Sequence, residues 1–174
     1  GDIISQMLFN RGIKDSSEAD LFFNPDYTDM HDPFSLPDID KAIKRTLKAI
    51  KDKEKIVVFG DYDVDGITST AIVFIVLEKL GANIDFYIPH RMKEGYGLNK
   101  KAIDLLADEN TSLIITVDNG VSNKEEVAYA KSKGIDIIIT DHHEVPKTLP
   151  KAVAIVNPKR KDSKYPFKEL AGVG

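Results

Sequence analysis

Five short apolar runs recur from residue 55 onward, and most of them are separated by stretches with helical spacing. The runs occupy residues 56–59, 84–88, 113–117, 135–139 and 152–156. Each is predominantly apolar rather than alternating, which is typical of strands buried on both faces of a sheet. Because alternating strands and helices favour parallel pairing with right-handed crossovers, the pattern predicts an α/β fold with an open, doubly wound, mainly parallel five-stranded sheet.

Helices are predicted between the first four runs. The first spans about residues 66–80 and is expected to stop at Gly81, since glycine commonly follows a helix. The second follows Asn99, and the third begins at Asn123. Glu126 stands three residues after Asn123, which predicts a pair resembling a capping box.

The sequence predicts two parts, a helical lead-in (residues 1–54) and an α/β domain (residues 55–174). Residues 1 to about 37 indicate short helices and a loop punctuated by proline. Asp38 is predicted to cap a further helix, in which apolar residues recur at helical spacing: Ile39, Ile43, Leu47 and Ile50.

Polar or charged groups follow every predicted strand. In chain order they are Asp61, Asp63, Asp65 and Gly66; His90 and Arg91; Asp118, Asn119 and Gly120; Asp141, His142 and His143; and Asn157, Pro158 and Lys159. Open α/β sheets bind ligands beyond the carboxyl ends of their strands. The sequence therefore predicts that these loops, far apart along the chain, meet at one edge of the sheet.

Carboxylates beside imidazoles make a mixed oxygen and nitrogen site for divalent cations. Oxygen ligands suit Mg²⁺ and Mn²⁺, and imidazole shifts the preference toward Mn²⁺, Zn²⁺ or Fe²⁺, which makes Mn²⁺ the best compromise. Two cations would relieve the repulsion among converging acids, and Asp118 is the predicted bridging ligand. Two metals about 3.5–4 Å apart can hold a phosphate and activate a water, so the expected reaction is hydrolysis of a phosphoester or phosphoanhydride without a protein nucleophile.

The acidic loop after the first run has other interpretations. It matches a solvated turn with a helix cap, and residues 63–66 also resemble the aspartyl nucleophile motif of haloacid-dehalogenase-like phosphatases, which leaves the paired histidines unexplained. A calcium loop is rejected, because its twelfth position requires glutamate and Ile72 stands there.

Two further segments carry open interpretations. Residues 91–98 are either a plain loop ahead of Asn99 or a flexible wall over the cleft, with Arg91 on a phosphate. A basic run near the end is either a solvated face or a track for backbone phosphates. Its members are Lys159, Arg160, Lys161, Lys164 and Lys168.

Composition narrows the class of protein. The 174 residues are 42% hydrophobic and 30% charged, as in a globular domain of ordinary size. The absence of cysteine excludes disulfides and thiolate chemistry and is typical of a cytoplasmic protein. The net charge of −4 argues against a simple basic nucleic-acid binder, but bound cations would reverse the local field for a polyanionic substrate.

Three motifs resemble those of the DHH phosphoesterase family. Residues 141–143, Asp-His-His, look like the signature that names the family, residues 63–66 resemble its first motif and residues 118–120 its second. They occur in the family's order over about residues 55–174. Within the family the chain most resembles the bacterial single-strand DNA exonucleases, through residues 60–66, 91–98, 157–159 and 170–174 and the helical lead-in.

The resemblance implies a role for each site residue. The implied metal ligands are Asp63, Asp65, Asp118 and His142, for two Mn²⁺ or Mg²⁺ ions. The implied catalytic residues are Asp61, which joins the site directly or through water, Asp141, which orients the histidines, and His143, which faces the scissile phosphate. The expected substrate contacts are Arg91, Lys159 and Arg160.

The resemblance also implies degradation of single-stranded DNA from the 5′ end in recombination and repair, with single-strand DNA-binding protein as a candidate partner. A fourth motif and a second domain would follow residue 174, so we expect residues 1–174 alone to bind a second metal weakly and to have little or no nuclease activity. The alternatives are a phosphodiesterase for oligonucleotides or cyclic dinucleotides, a non-catalytic metal-binding module and a pyrophosphatase. The pyrophosphatase is disfavoured because Gly60 to Tyr62 stand where such enzymes place a histidine.

Overall fold

The computed structural model describes residues 2–92 and 94–174. The chain forms two compact units, one ending at Asp32 and the other spanning Pro33–Gly174. The larger unit thus includes residues 33–54, which the sequence pattern placed in the helical lead-in.

The smaller unit consists of short helices. Helix α1 spans Asp2–Asn10, helix α2 spans Ser16–Phe23, and a short 3-10 helix covers Tyr27–Asp29. Helix α2 begins where it does because the carboxylate of Asp15 accepts the backbone N–H of Glu18 and so satisfies one of the first-turn donors.

The larger unit is built on a parallel sheet. Its strands are β1 (Lys55–Phe59), β2 (Asn83–Tyr87), β3 (Thr111–Val117), β4 (Asp136–Thr140) and β5 (Ala154–Val156). In the part of the chain that the structure describes, all five pair in parallel in the order β2-β1-β3-β4-β5. The predicted five-stranded parallel sheet is confirmed, with boundaries shifted by no more than two residues at each end.

Helices cover both faces of this sheet. They are α3 (Ile39–Lys51), α4 (Val64–Lys79), α5 (Lys100–Asp108) and α6 (Lys124–Ser132). Alternate residues of β3 enter separate cores: Ile114 packs with α5 and α6, whereas Leu113 and Ile115 pack with α3 and α4. The doubly wound prediction is therefore confirmed. Across residues 2–92 and 94–174, none of the helices has both the length and the apolar character needed to span a bilayer.

Helix α3 belongs to the larger unit because its buried face completes one of these cores. Ala42 and Ala49 lie in the same buried cluster as Ile138 of β4 and Ala154 of β5. Small side chains at these helix positions allow the helix to approach the sheet closely.

The starts of two helices differ from the sequence prediction. Asp38 precedes α3 but has a left-handed backbone, with φ of 59°, and makes no side-chain cap hydrogen bond. Asn123 precedes α6 and makes no side-chain cap hydrogen bond either, so the predicted pair with Glu126 is not a capping box. The two side chains do pair, since the amide of Asn123 donates to the carboxylate of Glu126 at 3.4 Å. The same amide donates to the carbonyl of Leu98 at 3.3 Å, a tertiary contact that competes with the local cap.

Helix α4 begins at Val64, two residues before the predicted start, and Asp63 caps it by accepting the N–H of Gly66 at 2.9 Å. Gly66, the predicted first residue, therefore lies inside the helix. A Cβ at Gly66 would lie 2.6 Å from the backbone nitrogen of Asp61. The glycine is therefore needed for the close approach of the acidic loop to the helix.

Candidate functional site

The carboxyl ends of β1, β3 and β4 bring three loops to one edge of the sheet. The ends of these neighbouring strands are in register, since Phe59 pairs with Thr116 and Thr116 pairs with Ile139. The chain then continues into the loops that carry the predicted acids and imidazoles. The sheet alone therefore places the loop at Asp61, the loop at Asp118 and the loop at Asp141 side by side.

Asp118 is held in a conformation that few side chains adopt. Its φ is 61°, in the left-handed region, and its residue is 2% exposed. The adjacent Asn119 fixes this turn, because its amide donates to the backbone carbonyls of Phe59 and Val117 at 3.2 and 2.9 Å. The hydroxyl of Thr116 donates to the carbonyl of Asn119 at 2.8 Å. Strain of this kind persists only where the surrounding structure enforces it, and it concentrates at functional sites.

Two clusters of possible metal ligands share Asp118. One contains Asp61 and Asp63 with Asp118, and the other contains His142 and His143 with Asp118; within each, the ligand atoms lie within 4.8 Å of one another. A carboxylate common to two clusters of ligand atoms is the arrangement that a pair of bridged cations requires. The sequence predicted this shared role of Asp118 only through the topology of the sheet, which brings the loops to one edge.

The geometry around Asp118 fits a divalent cation. Nε2 of His142 lies 3.0 Å from Oδ1 of Asp118 and 3.6 Å from Oδ2 of Asp65. Oδ1 of Asp118 and Oδ1 of Asp61 are both buried, and neither has a well-aligned hydrogen-bond donor among the residues that the structure describes. Buried carboxylate oxygens without donors are costly unless a cation binds them. The mixed oxygen and imidazole set suits Mn²⁺.

Burial, together with repulsion among these acids, raises the pKa values of two of them. Burial, followed by the carboxylates of Asp65 and Asp63, raises the pKa of Asp118 to about 7. Burial also raises the pKa of Asp61; a hydrogen bond from the backbone of Tyr62 opposes this effect, and the charge of Asp63 adds to it. The site thus favours a positive charge among its carboxylates, either protons or metal ions.

Asp141 does not join either cluster but supports both neighbouring loops. Its Oδ1 lies 2.7 Å from Nδ1 of His143 and accepts the backbone N–H of His142 at 2.8 Å. Its Oδ2 accepts the backbone N–H of Val121 at 2.9 Å, which ties the loop after β3 to the loop after β4. A carboxylate that holds an imidazole in this way fixes the orientation of the ring.

The two consecutive histidines lie close together. The ring centroids of His142 and His143 are 4.7 Å apart and their planes are tilted by 56°, and both belong to the cluster with Asp118. They can do so because the pair lies in a loop after β4, where side chains do not alternate as they do in a strand.

Asp65 occupies a separate position at the rim. Its carboxylate accepts the backbone N–H groups of Gly172 and Val173 at 2.8 and 2.6 Å, and it reaches the clusters through His142. The terminal segment was noted in the sequence only as part of the resemblance, and no local signal pointed to this contact.

Tyr96 was missed by the sequence analysis as a site residue. Its hydroxyl donates to the backbone carbonyl of Asp118 at 2.9 Å and lies 3.3 Å from Nδ1 of His143. Burial, followed by the charges of Asp141 and Asp118, raises the pKa of Tyr96, so the hydroxyl keeps its proton and donates. The signal that the sequence offered was the position of Tyr96 between two glycines, Gly95 and Gly97. In the structure both glycines have positive φ.

The basic residues predicted to contact substrate occupy different environments. The guanidinium of Arg91 lies 5.2 Å from the ring centroid of Tyr62, directly beside the acidic loop. Lys159 lies 3.2 Å from the carboxylate of Glu144, which follows the two histidines. Lys93, within the predicted flexible wall, lies outside the described residues.

Arg160 is not placed for a phosphate. Its guanidinium donates to the carboxylates of Asp38 and Asp162 and to the carbonyl of Ile155, and its side chain is 10% exposed. These contacts fix β5 to the turn before α3. The structure therefore gives Arg160 a stabilising role in the fold, because its donors are already engaged by acids within the chain.

The fold and the site together define an α/β protein with a candidate centre for divalent cations at the carboxyl edge of its sheet. The family described as "DHH family, N-terminal domain" matches residues 55–174. The chain belongs to this family.

The curated relatives are exonucleases. The single-stranded-DNA-specific exonuclease RecJ of Bacillus subtilis is 46% identical over 172 residues, which cover 99% of this chain and 22% of the relative. RecJ of Haemophilus influenzae is 39% identical over 173 residues, 99% of this chain and 29% of the relative. The chain thus spans less than a third of the length of these relatives.

Solved structures show the same fold. A crystal structure of exonuclease RecJ bound to manganese is 33% identical with a TM-score of 0.75 and covers 83% of this chain and 37% of that protein. The structure of RecJ from Thermus thermophilus in complex with Mn²⁺ is 28% identical with a TM-score of 0.71, over 95% of this chain and 22% of that protein.

Proposed function

We propose that the protein carrying this chain hydrolyses phosphodiester bonds of single-stranded DNA with Mn²⁺ or Mg²⁺, as a 5′ to 3′ exonuclease in recombination and repair. Membership of the DHH family and the identity to proteins named RecJ support this substrate. The observation that carries the proposal is that Asp118 belongs to both clusters of ligand atoms.

The proposed metal ligands are Asp63, Asp65, Asp118 and His142. Asp118 is the shared ligand, Asp63 lies in the first cluster and His142 in the second, and Asp65 borders His142. When bound, a pair of divalent cations supplies charge that polarises the scissile phosphate and acidifies a water molecule. The protein supplies the positions of these groups before substrate arrives.

The remaining groups orient and assist. Asp61, buried in the first cluster, is the proposed additional acid of the site. Asp141 holds the imidazole of His143 through the 2.7 Å contact, and His143 is proposed to face the scissile phosphate. The hydroxyl of Tyr96 braces both the carbonyl of Asp118 and the ring of His143, which limits the motion of either.

Arg91 and Lys159 are the proposed phosphate contacts. Arg91 borders the acidic loop through the ring of Tyr62, and the ion pair of Lys159 involves the exposed carboxylate of Glu144. Arg91 is exposed and forms no ion pair among the contacts described above. Lys159 is less exposed, but its partners Glu144 and Glu169, at 3.2 and 3.7 Å, are exposed acids. Such pairs contribute little to stability, so a polyanion can replace them. Arg160, engaged by Asp38 and Asp162, is left out of this set.

We further propose that residues 55–174 are the catalytic domain, which the family match over these residues supports. Of the predicted lead-in, residues 33–54 belong to the larger unit, so the proposed lead-in is the segment that ends at Asp32. A cytoplasmic location and a single-strand DNA-binding protein as partner are proposed from the named activity of the relatives. Co-purification of such a protein with the full-length protein tests the partner.

The full-length protein, assayed with Mn²⁺, tests the substrate. Single strands labelled at the 5′ or the 3′ end, a duplex, a cyclic dinucleotide and pyrophosphate are compared. The expected result is early release of a 5′ label from single strands, with slow reaction of the duplex and the small substrates. Early release of the 3′ label, or a preference for the small substrates, contradicts the proposal. Residues 1–174 alone are expected to show little or no activity.

Asp118→Ala is the decisive variant in that assay, because both clusters lose their shared ligand. We expect activity to fall to the background rate. Asp104→Asn is the matched control, since Asp104 is an acid in an exposed ion pair with Lys133 at 2.6 Å. Retention of activity by Asp118→Ala would show that the clusters are not the reaction centre.

A further inference from the structure

The segment at residues 170–174 reaches the site through its backbone. The N–H of Gly172 donates to Oδ2 of Asp65 at 2.8 Å, and the N–H of Val173 donates to Oδ1 at 2.6 Å. Donor and acceptor are 107 and 108 positions apart in the chain. Because each of two successive N–H groups donates to a different oxygen of one carboxylate, together they fix both the position and the plane of that carboxylate.

This pairing leaves Asp65 able to bind a cation. An ionised carboxylate has about four lone-pair directions, and the two N–H groups occupy one on each oxygen. The remaining directions are free for a ligand, and Oδ2 already lies 3.6 Å from Nε2 of His142. Hydrogen bonds to a ligating carboxylate orient it and are worth about 10- to 100-fold in metal affinity.

Gly172 makes a second close contact, in which an added Cβ would be tight. A Cβ at this position would lie 3.0 Å from both Cβ and Oδ1 of Asp118. Asp118 is buried and its left-handed backbone is braced by Asn119 and Tyr96, so it has little freedom to move away. The backbone at Gly172 therefore packs directly on one candidate ligand while it binds another.

We propose that the backbone of Gly172 and Val173 is a positioning element of the metal centre, which sets the orientation of Asp65 and the placement of Asp118. This inference rests on the proposed function, since it assigns the segment a role in binding the metal ions. Gly172 is the positioning residue, because its N–H binds Asp65 and a Cβ at this position would press against Asp118.

The hydrogen bonds are tested first without metal. Amide proton and nitrogen correlation spectra of the metal-free chain are compared for wild type, Asp65→Ala and Asp104→Ala, which removes an acid of a separate ion pair with Lys133. The Gly172 and Val173 amide signals are expected to move upfield in Asp65→Ala and to remain near their wild-type positions in Asp104→Ala. Unchanged signals in Asp65→Ala would overturn the inference before any metal is added.

Metal affinity is tested next by calorimetric titration of the chain with Mn²⁺. Val173→Pro removes the N–H donor, and Val173→Ala, which keeps it, is the reference. We expect Val173→Pro to bind Mn²⁺ about tenfold or more weakly than Val173→Ala. Gly172→Ala is expected to weaken binding by a similar factor through its contact with Asp118, with circular dichroism checking that each variant folds.

The outcomes separate the two proposals. Equal Mn²⁺ affinity for Val173→Pro and Val173→Ala, or wild-type affinity in Gly172→Ala, overturns the positioning role and leaves the nuclease proposal standing. Absence of Mn²⁺ binding by the wild-type chain overturns both. Weakened binding in both variants, together with the amide shifts, supports the inference even if the preferred DNA substrate proves different.

Discussion

Oδ1 of Asp141 lies 2.7 Å from Nδ1 of His143, while Oδ2 accepts the N–H of Val121. One buried carboxylate therefore fixes an imidazole of the loop after β4 and the backbone of the loop after β3. Asp141 therefore orients the loop of the histidines, and it is not a member of either cluster of metal ligands.

Asp141→Asn tests this double role. The amide nitrogen that the substitution introduces would face a donor in either orientation, so one buried donor loses its acceptor, at a cost of about 1–3 kcal/mol. We expect the free energy of unfolding of the metal-free chain, measured in urea, to fall by that amount. Asp52→Asn, in an exposed ion pair with Lys48, is the control and should cost under about 1 kcal/mol. Equal losses would contradict the assigned role.

Tyr96→Phe distinguishes an effect on the metal site from an effect on the stability of the fold. The variant removes the hydroxyl that holds the carbonyl of Asp118, and we expect a loss of about 1 kcal/mol in unfolding free energy. It should also weaken Mn²⁺ binding severalfold in calorimetry. Tyr129→Phe removes a comparable hydrogen bond to Asp104 on α5, and it should lower stability alone. Weaker Mn²⁺ binding in both variants would point to a global effect.

Mn²⁺ is expected to stabilise the chain against heat. Occupancy at about 100 times the dissociation constant contributes about 2.7 kcal/mol of stability, so the melting temperature should rise with Mn²⁺ and return on addition of a chelator. Mg²⁺ should give a smaller shift at equal concentration, because it favours imidazole less than Mn²⁺ does. His142→Ala should narrow the difference between the two metals, and Asp118→Ala should remove both shifts.

The ion pair of Arg160 with Asp38 gives a prediction about stability. Both side chains are largely covered, with 10% and 16% exposed, and removal of one partner from a fully buried pair costs about 3–5 kcal/mol. We expect Arg160→Ala to cost somewhat less, about 2–3 kcal/mol at neutral pH. Lys159→Ala, which breaks more exposed pairs, should cost under about 1 kcal/mol. Urea unfolding of both variants provides the measurement.

The pH dependence of that difference has a defined sign. Burial raises the pKa of Asp38, but hydrogen bonds from Lys41 and Arg160 outweigh it, and the net effect lowers the pKa. A folded pKa below the unfolded value contributes stability above the unfolded pKa, which is lost as the pH falls through the folded pKa. The gap between wild type and Arg160→Ala should therefore shrink on acidification below about pH 4. A gap that widens in acid would contradict the pairing.

Much of the fold was predictable because burial of a strand or helix requires a local pattern of apolar residues, which can be read from the sequence. Continuous apolar runs such as residues 56–59 and 113–117 encode strands covered on both faces, and the resulting sheet fixes which loops share an edge. The convergence of Asp61, Asp118 and His142 followed from topology alone. Helix caps were predicted less well, since the amide of Asn123 donates to Glu126 and Leu98 and its side chain does not cap α6.

The sequence by itself determined which residue types gather at the carboxyl edge of the sheet, and hence the kind of ion they suit. Only the tertiary structure decided how each group is used. In the folded chain Asp141 contacts His143, and Asp65 accepts hydrogen bonds from residues 172–173. Arg160 pairs with Asp38, and Tyr96 donates to the backbone of Asp118. The physical reason is range: periodicity reports the environment of neighbouring residues, whereas a hydrogen bond between residues 107 positions apart depends on how the whole unit packs.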